Sequence, residues 1–267
     1  LFPYTTLFRS MARHFGQSHD VAAVGVAAAG FIDRNRELVL HAPNIAWRNE
    51  PLKATLASRI DVPVTIENDA NAAGWGEFRF GAGREVETMT MLTMGTGVGG
   101  AVVVDGALLL GGHGIAGELG HIRFIRDGRP CGCGQKGCLE QYASGRALQR
   151  EAEEIADDAA GDGAGLAALR LETGALKGPA ISRLILAGDP GAIEALRRVA
   201  TALGEACGGF QAVLDPELLG EDLLGPMREA YRTAVPGYGD RPVAEFAVAQ
   251  LGNDAGLIGV ADLAEVG

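Results

Sequence analysis

The chain has 267 residues, a formal net charge of −11, 47% hydrophobic and 21% charged residues. This composition predicts a globular protein that is long enough for a large core and for two lobes. The acidic balance argues against nucleic acid or an anionic membrane surface as the main partner, and no apolar run reaches the roughly 18 residues of a membrane span.

The first ten residues, LFPYTTLFRS, differ in character from the rest. They contain no initiator Met, no basic segment and no long apolar segment, which argues against a signal peptide. We therefore expect residues 1–10 to be a non-native leader translated from vector or adapter sequence. The residues after Met11 resemble the end of a helix already under way, so we expect the native start to lie upstream.

The next part of the chain predicts alternating strands and helices. Asp20–Phe31 is an apolar run bounded by polar residues, which is typical of a buried parallel strand. The further predictions are a helix at Glu50–Ile60, a strand at Val62–Ile66, and a helix at Ala70–Phe80 capped by Asn68 or Asp69. A strand, polar loop and helix in this order form the α/β unit whose strand ends line ligand crevices.

The remaining elements are predicted from β-rich runs and helical periodicity. Thr88–Thr93 and Gly100–Asp105 form a hairpin-like pair around the glycine-rich turn Gly95–Gly99. The other predictions are a short strand at Ala107–Leu110, a mostly helical region at Ser144–Gly209 with a glycine-rich loop at Ala160–Gly165, and a last helix at Asn253–Val266.

Three of the four cysteines cluster in CGCGQKGC, as Cys131, Cys133 and Cys138, with His121 upstream. Three thiolates and one imidazole are the ligands of a four-coordinate zinc, and four protein ligands make a structural site. The alternative is a coincidental cluster of thiols. The clustering also indicates a reducing, cytoplasmic location, and Cys207 is predicted to be a buried apolar residue.

Four further features are candidates for ligand binding. Asp69 in ENDANAA can accept a hydroxyl proton or simply cap a helix. The turn in TMGTGVGG can hold phosphate with its backbone N–H groups or serve as an ordinary hairpin turn. Glu118 and Glu140 flank the zinc ligands and can accept from sugar hydroxyls or be solvated charges on a loop. Asn44 can bind a hydroxyl or stabilise a turn.

These segments together resemble the ROK family of sugar kinases, and within it the bacterial glucokinase branch. The matching segments are ELGH, CGCGQKGC, LEQYASG, ENDANAA, TMGTGVGGA, HAPNIAW and GNDAGLIGVADLA. The resemblance covers nearly everything after Met11. It implies an α/β, actin-like (ribonuclease H-like), two-lobed ATPase fold, and transfer of a phosphoryl group from ATP to a hexose, with glucose expected first.

The resemblance also implies roles for individual residues. Asp69 matches the general base. Sugar-binding positions match Gly30, Asn44, Asn68, Asp69, Glu118, His121 and Glu140, with His121 also on zinc. Gly95, Thr96 and Gly97 match the phosphate loop, and magnesium is expected with ATP. The implied partners are a hexose, ATP and a second copy in a homodimer, with no nucleic acid or membrane.

Domain boundaries follow from the same resemblance. Residues 11–86 with 252–267 correspond to a small lobe that we expect to be incomplete, and residues 87–251 correspond to the large lobe. The large lobe contains residues 121–138, which we call the zinc loop.

Two departures from the family pattern fall on the nucleotide side. The first is that the sequence contains no Asp-x-Gly-Gly-Thr turn. The second is that Leu219 continues almost directly into Glu221, so a strand and an adenosine loop are predicted to be deleted near Leu219. We therefore expect this chain to phosphorylate poorly or not at all and to expose unpaired strand edges.

The alternative function is a sugar-responsive transcriptional repressor of the same family that lacks its helix-turn-helix domain. The intact ENDANAA segment and the glucokinase-like flanking segments favour the kinase. A zinc module without a ligand is a third possibility, but it leaves Asp69 and the glycine-rich turn unexplained.

Overall fold

The computed structural model describes residues 10–42, 47–220, 225–237 and 243–266. Residues 1–9, which belong to the predicted leader 1–10, and the predicted sugar-binding residue Asn44 lie outside these ranges. The chain forms two compact units. Unit 1 comprises Leu1–Met91, Gly100–Glu118 and Ala247–Gly267, and unit 2 comprises Leu92–Gly99 and Leu119–Phe246. The lobe boundaries expected from the sequence stay a prediction.

Among the following elements, four strands come first in the chain, single helices then separate the strands that follow, and four helices succeed one another in the second half. The strands are β1 (Val24–Ala28), β2 (Phe31–Ile32), β3 (Val39–Ala42), β4 (Trp47–Glu50), β5 (Val64–Asn68), β6 (Met89–Met94), β7 (Val98–Val104), β8 (Ala107–Leu108), β9 (Leu218–Gly220) and β10 (Glu245–Ala247). The helices are α1 (Leu52–Ala57), α2 (Asp69–Phe80), α3 (Gly145–Ala156), α4 (Ala164–Thr173), α5 (Gly178–Leu186), α6 (Pro190–Leu214), α7 (Gly225–Ala234) and α8 (Ala255–Val266).

In unit 1, β1 and β5 pair in parallel, which confirms the buried parallel strand predicted near residue 24. Val26 and Ile66 lie opposite each other in this pair and are both buried. The antiparallel sheet β2-β3-β4 was not predicted, because strands of two to four residues are too short to show a period of two.

Helix α8 packs against α2 and β1 through glycines. A Cβ atom on Gly76 would overlap the carbonyl oxygen of Ala255, and one on Gly259 would overlap the carbonyl oxygen of Ala72. On β1, a Cβ atom on Gly25 would overlap the carbonyl oxygen of Val260. The backbones of these elements therefore approach one another more closely than side chains would permit.

Unit 2 is mainly helical, and the 25-residue helix α6 runs through its core. Cys207 on α6 is fully buried, which confirms its predicted role as an apolar core residue. Burial raises the pKa of its thiol to about 12. Gly208 brings α6 close to α7, because a Cβ atom there would be 2.9 Å from the carbonyl carbon of Ala234.

A five-stranded sheet has the strand order β10-β9-β6-β7-β8. Strands β6 and β7 confirm the predicted hairpin-like pair, and β8 confirms the short strand after it. The prediction that a strand had been deleted near Leu219 is wrong, because Leu218–Gly220 form β9. Residues 221–224, where the adenosine loop was expected to be missing, lie outside the described residues.

None of the described helices is both long enough and apolar enough to cross a lipid bilayer. The prediction at Glu50–Ile60 was too long, since α1 covers only Leu52–Ala57, whereas the last helix was predicted to within two residues.

Candidate active-site residues and metal centre

The junction between β5 and α2 places Asn68 and Asp69 at the end of a strand and the start of a helix. Asn68 is the N-cap of α2, and its Oδ1 accepts from the backbone N–H of Asn71 at 3.0 Å. Asp69 is exposed, and its Oδ1 accepts from the backbone N–H of Ala70 at 3.0 Å. One oxygen of Asp69 is therefore oriented by the helix N-terminus, in a position open to a ligand.

A buried carboxylate lies directly before this pair. Glu67 is 1% exposed, and its Oε1 accepts from the backbone N–H of Asn68 at 2.9 Å and from Asn71 Nδ2 at 3.1 Å. Its Oε2 accepts from Arg36 Nε at 2.8 Å. This network holds both asparagines of ENDANAA in place, and no sequence pattern indicated that Arg36 belongs to it.

Gly30 and Glu118 are the other predicted sugar-binding residues in unit 1. The carbonyl oxygen of Gly30 accepts from Asn68 Nδ2 at 3.0 Å. Gly30 has φ +150°, and a Cβ atom on it would lie 2.7 Å from the carbonyl oxygen of His41. Gly117, directly before Glu118, lies close to the β5–α2 junction, because a Cβ atom on Gly117 would be 3.3 Å from Asn71 Oδ1. The backbone of Glu118 therefore starts next to this junction.

The zinc loop in unit 2 is irregular but internally hydrogen-bonded. The N–H of Cys131 donates to the carbonyl oxygen of Gln135 at 2.9 Å, and the N–H of Gly134 donates to that of Cys131 at 3.1 Å. Gly134 and Gly137 have φ values of +92° and +77°, which favour glycine. These glycines allow the short loop to turn its cysteines inward, as the sequence predicted.

The four predicted metal ligands converge on one point. The ligand atoms of His121, Cys131, Cys133 and Cys138 all lie within 4.8 Å of one another. The Cys133 and Cys138 sulfurs are 3.6 Å apart, and Cys131 Sγ is 3.6 Å from His121 Nδ1. Tetrahedral zinc with Zn–S bonds of 2.3 Å requires sulfur atoms roughly 3.7 Å apart, so the set fits structural zinc.

The thiol chemistry agrees with a metal centre. Burial, followed by hydrogen bonds with the neighbouring thiols, raises the pKa of Cys138 to about 12. Burial also raises the pKa of Cys131. Thiolates at these positions need a cation to stabilise their charge, which zinc supplies when bound.

Glu140 connects the zinc loop with the turn between β6 and β7. Its Oε2 accepts from the backbone N–H of Val98 at 3.3 Å, and its Oε1 lies 3.8 Å from Cys131 Sγ. The turn itself, Gly95–Gly97, is closed by a hydrogen bond from the N–H of Gly95 to the carbonyl oxygen of Gly97 at 3.0 Å. We call these three residues the glycine turn.

Arg129 links the zinc loop to helix α3, a role that the sequence did not reveal. Its guanidinium donates to Glu151 and Glu154, both at 3.0 Å, and to the carbonyl oxygen of Gln141 at 3.2 Å. The same group lies 5.1 Å from the ring centre of Tyr142. Because Gln141 follows Glu140, these contacts hold the segment that carries the candidate sugar ligand.

The structure thus brings the predicted residues together in two sets. Unit 1 contains Gly30, Asn68, Asp69 and Glu118, and unit 2 contains the glycine turn, His121, Glu140 and the three cysteines. The residues missed by sequence reasoning are Glu67, Asn71, Arg36, Arg129 and Tyr142. Glu67 and Asn71 could have been suspected, because both lie in the ENDANAA segment at a strand end.

Comparison with known proteins assigns the class. The sequence matches the ROK family over residues 5–266. The chain therefore belongs to the ROK family.

Two relatives are similar along nearly the whole chain. A glucokinase from Streptomyces coelicolor is 43% identical over 256 residues, which cover 92% of this chain and 81% of that one. The crystal structure of a ROK family glucokinase from Streptomyces griseus, in complex with glucose and AMPPNP, superposes with a TM-score of 0.87 at 41% identity. That match covers 98% of this chain and 88% of the other. It confirms the predicted α/β, actin-like fold.

A third relative bears on the alternative function. The xylose repressor of Caldicellulosiruptor bescii is 38% identical over 128 residues. The match covers 48% of this chain and 32% of the repressor, so it is less extensive than the match to the glucokinases.

Proposed function

We propose that this chain is an ATP-dependent hexose kinase that transfers the γ-phosphoryl group of ATP to the 6-hydroxyl of glucose. The observation that carries the proposal is its similarity, over 98% of the chain, to a glucokinase whose structure contains glucose and AMPPNP. The exposed Asp69 carboxylate at the end of β5 supports the same chemistry.

Asp69 is proposed to be the general base. Its carboxylate would accept the proton of the sugar hydroxyl as that oxygen attacks the γ-phosphorus and the bond to the bridging oxygen of ADP breaks. The hydrogen bond from the N–H of Ala70 supports this role, because it orients one oxygen and leaves the other open. Asn68 and Gly30, joined by their hydrogen bond, are proposed to contact the sugar beside it.

The remaining sugar ligands are proposed to be Asn44, Glu118, His121 and Glu140. Carboxylates accept from two vicinal hydroxyls, which gives the site its preference for a polyol. The short distances among the zinc ligands support a structural zinc that holds His121 and Glu140 in place. Zinc bound to four protein ligands has no open position for substrate, so its contribution is to fix the loop.

The nucleotide is proposed to bind at Gly95, Thr96 and Gly97. Gly95 and Thr96 are exposed, and the turn offers backbone N–H groups to phosphate oxygens. Magnesium enters with ATP as part of the substrate and neutralises phosphate charge. The protein is also proposed to act as a homodimer.

A coupled assay of ADP formation with glucose and ATP tests the proposal. Asp69→Asn should lower kcat by about 10²- to 10⁴-fold, since general-base catalysis contributes that much, while glucose binding stays within about twofold. Glu172→Gln, at an exposed glutamate on α4, is the control and should keep full activity.

Two outcomes of this assay would contradict different parts of the proposal, one the function and the other the expected low rate. Absence of both hexose binding and phosphoryl transfer would contradict the proposed function. The sequence departures on the nucleotide side predict a slow enzyme, and a kcat in the ordinary kinase range of about 1–100 s⁻¹ would contradict that prediction alone.

A sugar-responsive repressor is the second candidate, favoured by the match to the xylose repressor over 48% of the chain. A repressor would bind sugar without forming ADP. Sugar binding with no ADP formation above the background of the Asp69→Asn protein would favour it.

A further inference from the structure

We propose that Gly97 is a positioning residue for Glu140, so that the glycine turn sets the affinity of the protein for sugar even when no nucleotide is bound. The proposal rests on the proposed function of Glu140 as a sugar ligand. It adds a residue that acts through another residue rather than by touching the sugar.

The first step is steric. A Cβ atom on Gly97 would overlap Glu140 Oε2 and would lie 3.0 Å from the Cδ atom of the same side chain. Gly97 has a φ outside the left-handed region, so its backbone conformation does not itself require glycine. The carboxylate of Glu140 is therefore what excludes a side chain at position 97.

The second step concerns which group would shift if a methyl group were added at position 97: the turn is anchored, so the Glu140 carboxylate would shift. The glycine turn is closed by its own hydrogen bond, and the N–H of Gly145 donates to the carbonyl oxygen of Gly95 at 2.9 Å. Glu140 is held instead by side-chain contacts with the N–H of Val98, with Gln141 Nε2 at 3.3 Å and with Cys131 Sγ. A methyl group at position 97 would displace the carboxylate and remove the acceptor of the Val98 N–H.

The third step links two binding functions. The glycine turn is proposed to bind phosphate, and the Glu140 carboxylate is proposed to bind sugar. Glu140 accepts from the N–H of Val98, and its carboxylate occupies the space that a side chain at position 97 would need. A side chain added at position 97 therefore alters the position of the sugar ligand. Independent sites would show no such effect without nucleotide.

The chain offers a matched control on the same turn. A Cβ atom on Gly95 would have no neighbour within 4 Å, and Gly95 also has a φ outside the left-handed region. Gly95→Ala and Gly97→Ala thus add the same methyl group two residues apart, one into open space and one into the carboxylate.

Calorimetric titration with glucose, without nucleotide, tests the sugar effect on the full chain loaded with zinc. Gly97→Ala should weaken glucose binding by about tenfold, corresponding to one displaced charged hydrogen bond, and should keep its zinc. Gly95→Ala should stay within about twofold of the parent. Equal affinities for the parent and Gly97→Ala, equal losses in both variants, or loss of zinc in Gly97→Ala would overturn the proposal.

A thermal double-mutant cycle decides the steric step without any sugar. Gly97→Ala should lower the Tm by about 2–4 °C in the parent, and by less than about 1 °C in a Glu140→Ala background, where the obstacle is gone. The same shift in both backgrounds would overturn the inference. Failure of the parent to bind glucose would instead contradict the proposed function, and the cycle would still decide the role of Gly97.

Discussion

The β5–α2 junction and the zinc loop present candidate ligands by different physical means. At the junction, Asn68 and Asp69 lie on regular elements, and the buried carboxylate of Glu67 accepts hydrogen bonds behind them. In the zinc loop, the backbone follows no strand or long helix, and the ligand positions depend on thiols, an imidazole and Arg129. The junction is therefore supported by secondary structure, whereas the loop is supported by side chains and by the metal that they fit.

Because of this difference, the two regions should respond differently to the loss of a single side-chain group. Loss of one group at the junction should change a local geometry while the strand and helix persist. Loss of one metal ligand should release the whole loop, because metal binding supplies the free energy that orders it.

Cys138→Ser should have the largest structural effect, because it removes a fully buried zinc ligand. Zinc affinity should fall by more than about a hundredfold, and glucose affinity should fall with it, since the loop that holds His121 and Glu140 loses its order. Zinc content after dialysis against a chelator and calorimetry with glucose measure the two effects.

Cys207→Ala is the matched control, since that thiol lies in the α6 core away from the cluster. It should keep zinc and glucose affinity. If Cys138→Ser kept its zinc, the contrast between the two regions would be lost.

Glu67→Gln should have the next largest effect, and it tests the support of the β5–α2 junction. The substitution keeps the shape but removes the charge that Arg36 faces, and the Glu67 side chain is 2% exposed. We expect the free energy of unfolding, measured in urea, to fall by about 2 kcal/mol. The loss is smaller than for a fully buried ion pair, because the Arg36 side chain is 23% exposed.

Zinc content should be unchanged in Glu67→Gln, since the pair lies in unit 1. Glu37→Gln, at a neighbouring exposed position, serves as the control and should be neutral. A Glu67→Gln protein that lost zinc would show that the two regions are not separately supported.

Arg129→Ala should have a smaller effect on the loop than the loss of a metal ligand. It removes three guanidinium hydrogen-bond partnerships and the contact with Tyr142, at a side chain that is 29% exposed. We expect a loss of about 1–2 kcal/mol in stability and faster zinc release to a chromogenic chelator.

Arg126→Ala is the control in the same loop, since the Arg126 side chain is 92% exposed and pairs with Asp127, which is 90% exposed. Arg129→Lys should recover little, because a single ammonium cannot reach the same acceptors together. Equal zinc release from the Arg126 and Arg129 variants would contradict the role of Arg129.

Glu194→Gln should have the smallest effect, and it measures how much an exposed ion pair on α6 contributes to stability. Hydrogen bonds from Arg197, and then Arg198, lower the pKa of Glu194 to about 2. A depressed carboxyl pKa stabilises the fold above the unfolded value of 4.5, and that contribution disappears as the pH falls toward 2.

About a third of the Glu194 side chain is exposed, so solvent screening keeps the effect of Glu194→Gln below about 1 kcal/mol at pH 7. Urea unfolding of both proteins at pH 7 and pH 3 measures it. A difference that grew at the lower pH would contradict the sign of this linkage.

The features that the sequence predicted are those encoded by neighbouring residues. The Asn68 cap and helix α2 follow from a strand, a polar residue and a helical run in succession, and the zinc ligands follow from the spacing in CGCGQKGC. Their chemistry is local, so one segment of sequence is enough to indicate it.

The features that were missed depend on pairs distant in sequence. Glu67 and Arg36 are 31 residues apart, and Arg129 is 22 residues from Glu151. Nothing in either segment indicates its partner. Strand β9 was missed for another reason, since its three residues gain their strand geometry from the sheet that they join.

The glycine contacts of α8 have a consequence for how the chain is made on the ribosome. Trp75 on α2 donates from Nε1 to Asp262 on α8 at 2.7 Å, and these residues are 187 positions apart. Residues 119–246 of unit 2 are translated between them, so its helices emerge while α2 and β1 still lack the helix that fits their glycines. Unit 1 must therefore wait for its last segment, and we expect the nascent chain to be most exposed to misfolding during that interval.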